Sequence, residues 1–129
     1  MPSYDQLIFP LSAGMIHGDA WRGNLLRDEN RVVLADWDAV STGPPETDLI
    51  PTLQARRFGL PESQRDAFIA AYGYDIRSWT GYPILREIRE LSTLSALLRD
   101  GHFDPAAQRE LQVRLRSLRT GDDCKWTPF

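Results

Sequence analysis

Apolar and polar positions fall into a strand-like arrangement over residues 13–16, which suit a short strand running into His17-Gly18-Asp19. Gly18 and Gly23 bracket the segment that follows, so it reads as a loop. An extended pattern resumes at Asn24-Leu25-Leu26-Arg27, pauses at the turn cluster Asp28-Glu29-Asn30, and returns in the β-branched run Arg31-Val32-Val33-Leu34-Ala35. Two such runs across a short polar turn predict a hairpin. Residues 1–12, with Leu7, Ile8 and Phe9 before Pro10, read as a helix end or an irregular lead-in. Ser41-Thr42-Gly43-Pro44-Pro45-Glu46-Thr47 is loop chemistry, because consecutive prolines preclude regular hydrogen bonding.

Beyond that loop the period changes to that of helices. A first helix is predicted from about Asp48, whose side chain can cap exposed N–H groups, with Pro51 in its first turn; it should run to about Arg57 and stop at Gly59. Pro61-Glu62-Ser63 opens a second, with Phe68, Ala71 and Tyr72 at helical spacing before Gly73. Ile84, Leu85, Ile88, Leu91, Leu94, Leu97 and Leu98 form an apolar stripe opposed by Arg86, Arg89, Glu90 and Arg99, which predicts one long third helix. Asp104 then serves as N-cap and Pro105 as first helical residue of a fourth helix, with Ala107, Leu111, Leu115 and Leu118 inward, its arginines in solvent and Gly121 at its end. The tail, residues 122–129, should be irregular and dock by Trp126 and Phe129. The predicted fold class is α+β, mainly helical: a single domain over residues 1–129, with a hairpin-bearing region at 13–49 and about four helices over 48–121.

Composition narrows the class. With 129 residues, 42% hydrophobic and 26% charged, the chain is long enough to bury a core as one globular domain. A formal charge of -3 gives no general attraction to nucleic acid or anionic membrane, so neither is expected as a partner. Charged residues interrupt every apolar stretch before it reaches the length of a membrane span. Cys124, alone, can form neither an internal disulfide nor a multi-thiolate zinc site, and the first residues lack the basic and apolar regions of a secretory leader, so a cytoplasmic location is expected. Arginine supplies all basic residues except Lys125.

Polar residues concentrate between His17 and Asp48, where His17, Asp19, Asn24, Asp36, Asp38 and Asp48 lie at strand ends or in loops. If Asn24 begins one strand of the hairpin and Asp36 ends the other, antiparallel pairing places them side by side, near Asp19. Carboxylate and amide oxygens are hard ligands suited to magnesium, which binds through one or two carboxylates together with substrate phosphates. The cluster therefore points to phosphate chemistry.

His17-Gly18-Asp19-Ala20-Trp21-Arg22-Gly23-Asn24 resembles the catalytic loop HGDxxxxN of the aminoglycoside phosphotransferase and choline kinase-like family. Asp36, in Leu34-Ala35-Asp36-Trp37-Asp38, resembles that family's second metal-binding motif, equivalent to the DFG aspartate of the protein-kinase relatives. Gly43-Pro44-Pro45-Glu46-Thr47-Asp48-Leu49 resembles the GPxxxDL segment that follows. The resemblance implies a protein-kinase-like carboxy-terminal lobe, with Asp19 as catalytic aspartate and Asn24 and Asp36 holding Mg2+ on the phosphates of ATP or GTP. Asp38 and Arg22 would assist at the substrate or through water. His17 and Asp48 would brace the loop.

The implied reaction is transfer of the γ-phosphate to a hydroxyl of an aminoglycoside-like or other amino-alcohol acceptor. The family's amino-terminal lobe, with its phosphate-covering loop and strand lysine, has no counterpart before His17, and Lys125 lies elsewhere. The expectation is the carboxy-terminal part of the larger lobe, inactive alone or completed by a missing N-lobe or by homo-oligomerisation of uncovered apolar helix faces. The alternatives are a noncatalytic binding or assembly module, or a truncated remnant. A metal-dependent phosphohydrolase is disfavoured, because only one histidine lies near the acidic cluster.

Overall fold

Gly14–Ile16 forms β1, which pairs antiparallel with β4, Ser41–Gly43, in the register Gly14↔Gly43, Met15↔Thr42 and Ile16↔Ser41. The computed structural model describes residues 2–129; Met1, with which the lead-in begins, lies outside them. Residues 41–43 were expected in a loop, but the prolines that forbid a ladder begin only at Pro44, leaving three residues free to pair. The predicted hairpin is present as β2, Leu25–Asp28, and β3, Arg31–Leu34, with Leu25 opposite Leu34 and Asp28 opposite Arg31. All four residues of β2 and the first three of β3 are exposed.

α1, Glu46–Gln54, begins directly after Pro44-Pro45, two residues before the expected start, and passes into a 3-10 turn, Ala55–Phe58, that ends at Gly59 with φ +86°. Pro51 therefore sits inside the helix rather than in its first turn, and Asp48 does not act as N-cap. Burial of Glu46, Leu49, Ile50, Pro51, Leu53 and Gln54 makes α1 the central element. α2, Glu62–Tyr72, ends at Gly73 in the left-handed conformation, as its sequence predicts. Its buried residue is Ile69; Ala71, some 200° around the helix from it, is exposed, as is Tyr72 at the helix end.

The long third helix is divided into α3, Tyr82–Ser92, and α4, Leu94–Asp100. Ser92 and Thr93 cause the break: their hydroxyls donate to the carbonyls of Arg89 and Glu90, each at 2.7 Å, and such back-bonding bends helices. Ile84, Leu85, Leu94 and Leu97 are buried, whereas Ile88, Leu91 and Leu98 of the same stripe are exposed. α5, Pro105–Thr120, opens with the Asp104 carboxylate accepting from Ala106 N–H at 2.8 Å and closes at Gly121. Its inner face is Ala107, Glu110, Leu111, Arg114 and Ser117; Leu115 faces out, and the buried Arg114–Glu110 pair at 3.0 Å corrects the expectation of arginines only in solvent.

Two apolar cores result. Leu49, Ile50, Leu53, Ile69, Ile76 and Leu85 fill the first, and Leu94, Leu97, Ala107 and Leu111 the second. The tail docks by Trp126, whose ring lies against the guanidinium groups of Arg57 and Arg114, while Phe129 stays exposed. The fold is α+β and mainly helical, with five α-helices among the described residues where four were predicted. No helix among them is long and apolar enough to cross a membrane.

Candidate active site

The loop after β1 is held from below by α1. Asp48, in the first turn of α1, accepts the backbone N–H of His17 at 2.7 Å through Oδ2 and that of Gly18 at 2.9 Å through Oδ1. Gly18 has φ +85°, and a Cβ there would lie 2.6 Å from the carbonyl oxygen of Ala39, so the turn admits only glycine. His17 is buried, with Nε2 at 2.9 Å from the Ala35 carbonyl and Nδ1 at 3.2 Å from the Asp19 N–H. These partners assign the proton to Nε2, which donates, while Nδ1 accepts. The Trp37 ring meets the His17 ring edge-on at 4.6 Å, and its Nε1–H donates to the Leu34 carbonyl at 2.8 Å.

Asn24 ties the loop to the hairpin. Its Nδ2 donates to the Asp19 carbonyl at 2.9 Å and lies 3.5 Å from Asp19 Oδ2, and its own carbonyl accepts from Ala35 N–H at 2.8 Å. The residue opposite Asn24 is thus Ala35, and Asp36 follows one position on, close to the expected juxtaposition. Asp36 has φ +62°, the left-handed region, and is the one non-glycine residue with positive φ among those described. Holding an aspartate there costs of order 1 kcal/mol or more, and such residues cluster at functional sites. Asp36, Asp38 and Arg22 are exposed and form no ion pair with the described residues.

The donor set fits magnesium. With Nδ2 of Asn24 committed to the Asp19 carbonyl, its amide oxygen is left as a hard donor, and the Asp36 carboxylate, exposed, is a second. No group of three or more His, Cys, Asp and Glu converges among the described residues, and a cation that takes one or two carboxylates plus phosphate oxygens needs none.

Sequence reasoning missed two residues. Arg89, placed with the solvated face of the third helix, reaches Asp19 Oδ1 through Nη1 at 2.8 Å, and its Nε donates to Oε1 of the buried Gln54 at 3.2 Å. Nothing local marks either residue, since the partners stand 70 and 35 positions apart. Glu90, from the same face, is buried against Arg57 at 3.0 Å. A cavity of about 290 Å³ lined by Arg56, Arg57, Arg86 and Glu90 includes none of the expected site residues.

The family model described as the phosphotransferase enzyme family matches residues 4–88, a span that takes in every expected site residue and ends one position before Arg89. Comparison with curated proteins gives no match, and neither does comparison with solved structures.

Proposed function

The chain belongs to the phosphotransferase enzyme family, and from that premise we propose that it carries the catalytic loop of a magnesium-dependent small-molecule kinase. The donor is ATP or GTP, and the acceptor is a hydroxyl of an aminoglycoside-like or other amino-alcohol compound. The observation that supports this reading is Asn24: its side chain binds the Asp19 carbonyl at 2.9 Å while its backbone carbonyl accepts from Ala35, the residue before Asp36, so the hairpin closes directly on the Asp19 loop.

In this reading Asp19 orients the acceptor hydroxyl and takes its proton as the acceptor oxygen bonds to the γ-phosphorus and the bond to the bridging oxygen of the nucleotide breaks. Asn24 Oδ1 and the Asp36 carboxylate would hold Mg2+, which supplies neutralisation of phosphate charge. A loose transition state asks the protein chiefly for alignment and charge stabilisation. Asp48 and His17 provide the alignment by fixing the loop backbone, and the exposed Asp38 and Arg22 face substrate or its water.

Calorimetric titration of ATP and of GTP, with and without Mg2+, tests the reading, with Asp36→Ala as control. Magnesium-dependent binding that the variant loses is expected; a transfer screen that includes kanamycin and 2-aminoethanol then separates a chain that turns over from one inactive without an N-lobe. Absence of binding at millimolar nucleotide by the folded protein overturns it. The second reading, a binding module without turnover, is favoured if nucleotide binds and no transfer follows; the sole lysine lies beside Gly59, its Nζ 3.9 Å from where a Cβ would stand.

A further inference from the structure

Asp19 is gripped on one oxygen only. Arg89 Nη1 lies 2.8 Å from Oδ1, whereas the nearest donor to Oδ2 is Asn24 Nδ2 at 3.5 Å, too long for a sound hydrogen bond. The aspartate side chain is 39% exposed and that of the arginine 24%, so the pair stands at the mouth of the site rather than in a core. An ion pair so exposed contributes little to folding. It does fix geometry, because the guanidinium is itself braced. Its Nε is held by Gln54 Oε1 at 3.2 Å, and Gln54 is 3% exposed on the central helix α1. A single planar group thus connects α1, α3 and the Asp19 side chain.

The same two helices divide the task. Asp48 of α1 secures the backbone at His17 and Gly18, while Gln54 of α1, through Arg89 of α3, secures the side chain of Asp19. Without the second hold, a loop aspartate is free to exchange rotamers, and alignment to within about 0.5 Å is what a reacting constellation needs.

We propose that Arg89, braced by Gln54, is the positioning residue of the site: by occupying Oδ1 it fixes the Asp19 rotamer and leaves Oδ2 as the oxygen that meets the acceptor hydroxyl. The proposal rests on Asp19 acting as the base in the reading above. Lysine is a poor substitute, because a point charge on a flexible stem cannot hold Gln54 and Asp19 in one plane.

The test compares the unmodified chain with Arg89→Gln and Arg89→Lys. The primary readout needs no turnover: the Asp19 χ1 angle from NMR scalar couplings. One rotamer is expected in the unmodified chain and averaging in both variants, with Tm moved by no more than about 3 °C. With kanamycin or 2-aminoethanol as acceptor, kcat should fall roughly 10- to 100-fold in Arg89→Gln while KM for the nucleotide holds, and Arg89→Lys should recover only a small part. An unchanged Asp19 rotamer in Arg89→Gln overturns the proposal, as does a fall in kcat that tracks lost nucleotide affinity and lowered Tm. If the unmodified chain binds no nucleotide, the kinase reading fails by itself, and the rotamer measurement still decides whether Arg89 sets Asp19.

Discussion

The carboxylate of Asp48 stands 2.7 Å from the backbone nitrogen of His17, 31 residues earlier in the chain, and its second oxygen takes the neighbouring N–H of Gly18 at 2.9 Å. A residue in the first turn of a helix, where a carboxylate is favoured by the helix dipole, thus satisfies a separate loop instead of its own N-terminus. Two charge-assisted hydrogen bonds close the β1 loop onto α1. Asp48→Ala leaves two N–H groups without acceptors, and a loss of about 2–4 kcal/mol is expected in urea unfolding. Magnesium-dependent nucleotide binding should weaken in the same variant under conditions where it remains folded.

Leu53 and Leu91 separate packing from periodicity. Leu53 has no exposed surface and sits in the core around α1, whereas Leu91 is 57% exposed although it lies on the apolar stripe of α3. Leu53→Ala should cost about 2–5 kcal/mol through lost burial and a residual cavity. Leu91→Ala should stay within about 0.5 kcal/mol. Chemical denaturation of the pair of variants checks both values.

Glu90 and Arg57 form an ion pair away from the β1 loop, with side chains 3% and 4% exposed, and Arg57 also donates to the carbonyls of Asp122 and Cys124. Removing the carboxylate strands a buried guanidinium, so Glu90→Ala should destabilise by about 3–5 kcal/mol. Because Arg57 anchors the tail, the change should also loosen residues 122–127. Lys125 is the only lysine, so a lysine-specific protease reports that loosening directly as faster cleavage at one bond.

What the chain made legible was whatever local chemistry decides. Asp104 and Gly121 cap α5 as their residue types require, Gly73 ends α2, and the polar turn between β-branched runs forms the hairpin. The assumed pairing of Asn24 with Asp36 differs from the observed register by one residue, since Asn24 stands opposite Ala35 and its side chain reaches the Asp19 carbonyl. The division of the third helix at Thr93 was not read, because the competing hydroxyl bonds oppose a strong apolar period. Arg89 stayed hidden for a different reason. A charged residue opposite an apolar stripe looks solvated until the fold supplies a carboxylate from a loop 70 residues away.

Acid should expose the tail's electrostatics. The Asp123 carboxyl is hydrogen-bonded to the Arg56 guanidinium, which together with the charges of Arg57 and Arg86 holds it below the ordinary aspartate value of 3.8. A carboxyl whose folded-state value is depressed stabilises the fold above its unfolded value, and the contribution disappears as pH falls through the folded value. The side chain of Asp123 is 72% exposed, so the effect is modest and screened by salt. The difference in urea midpoint between the unmodified chain and Asp123→Asn should therefore be constant from about pH 5 to 8, shrink below about pH 4, and narrow further in molar sodium chloride. A gap that persists undiminished to about pH 2 would assign the contribution of Asp123 to packing of the tail rather than to its charge.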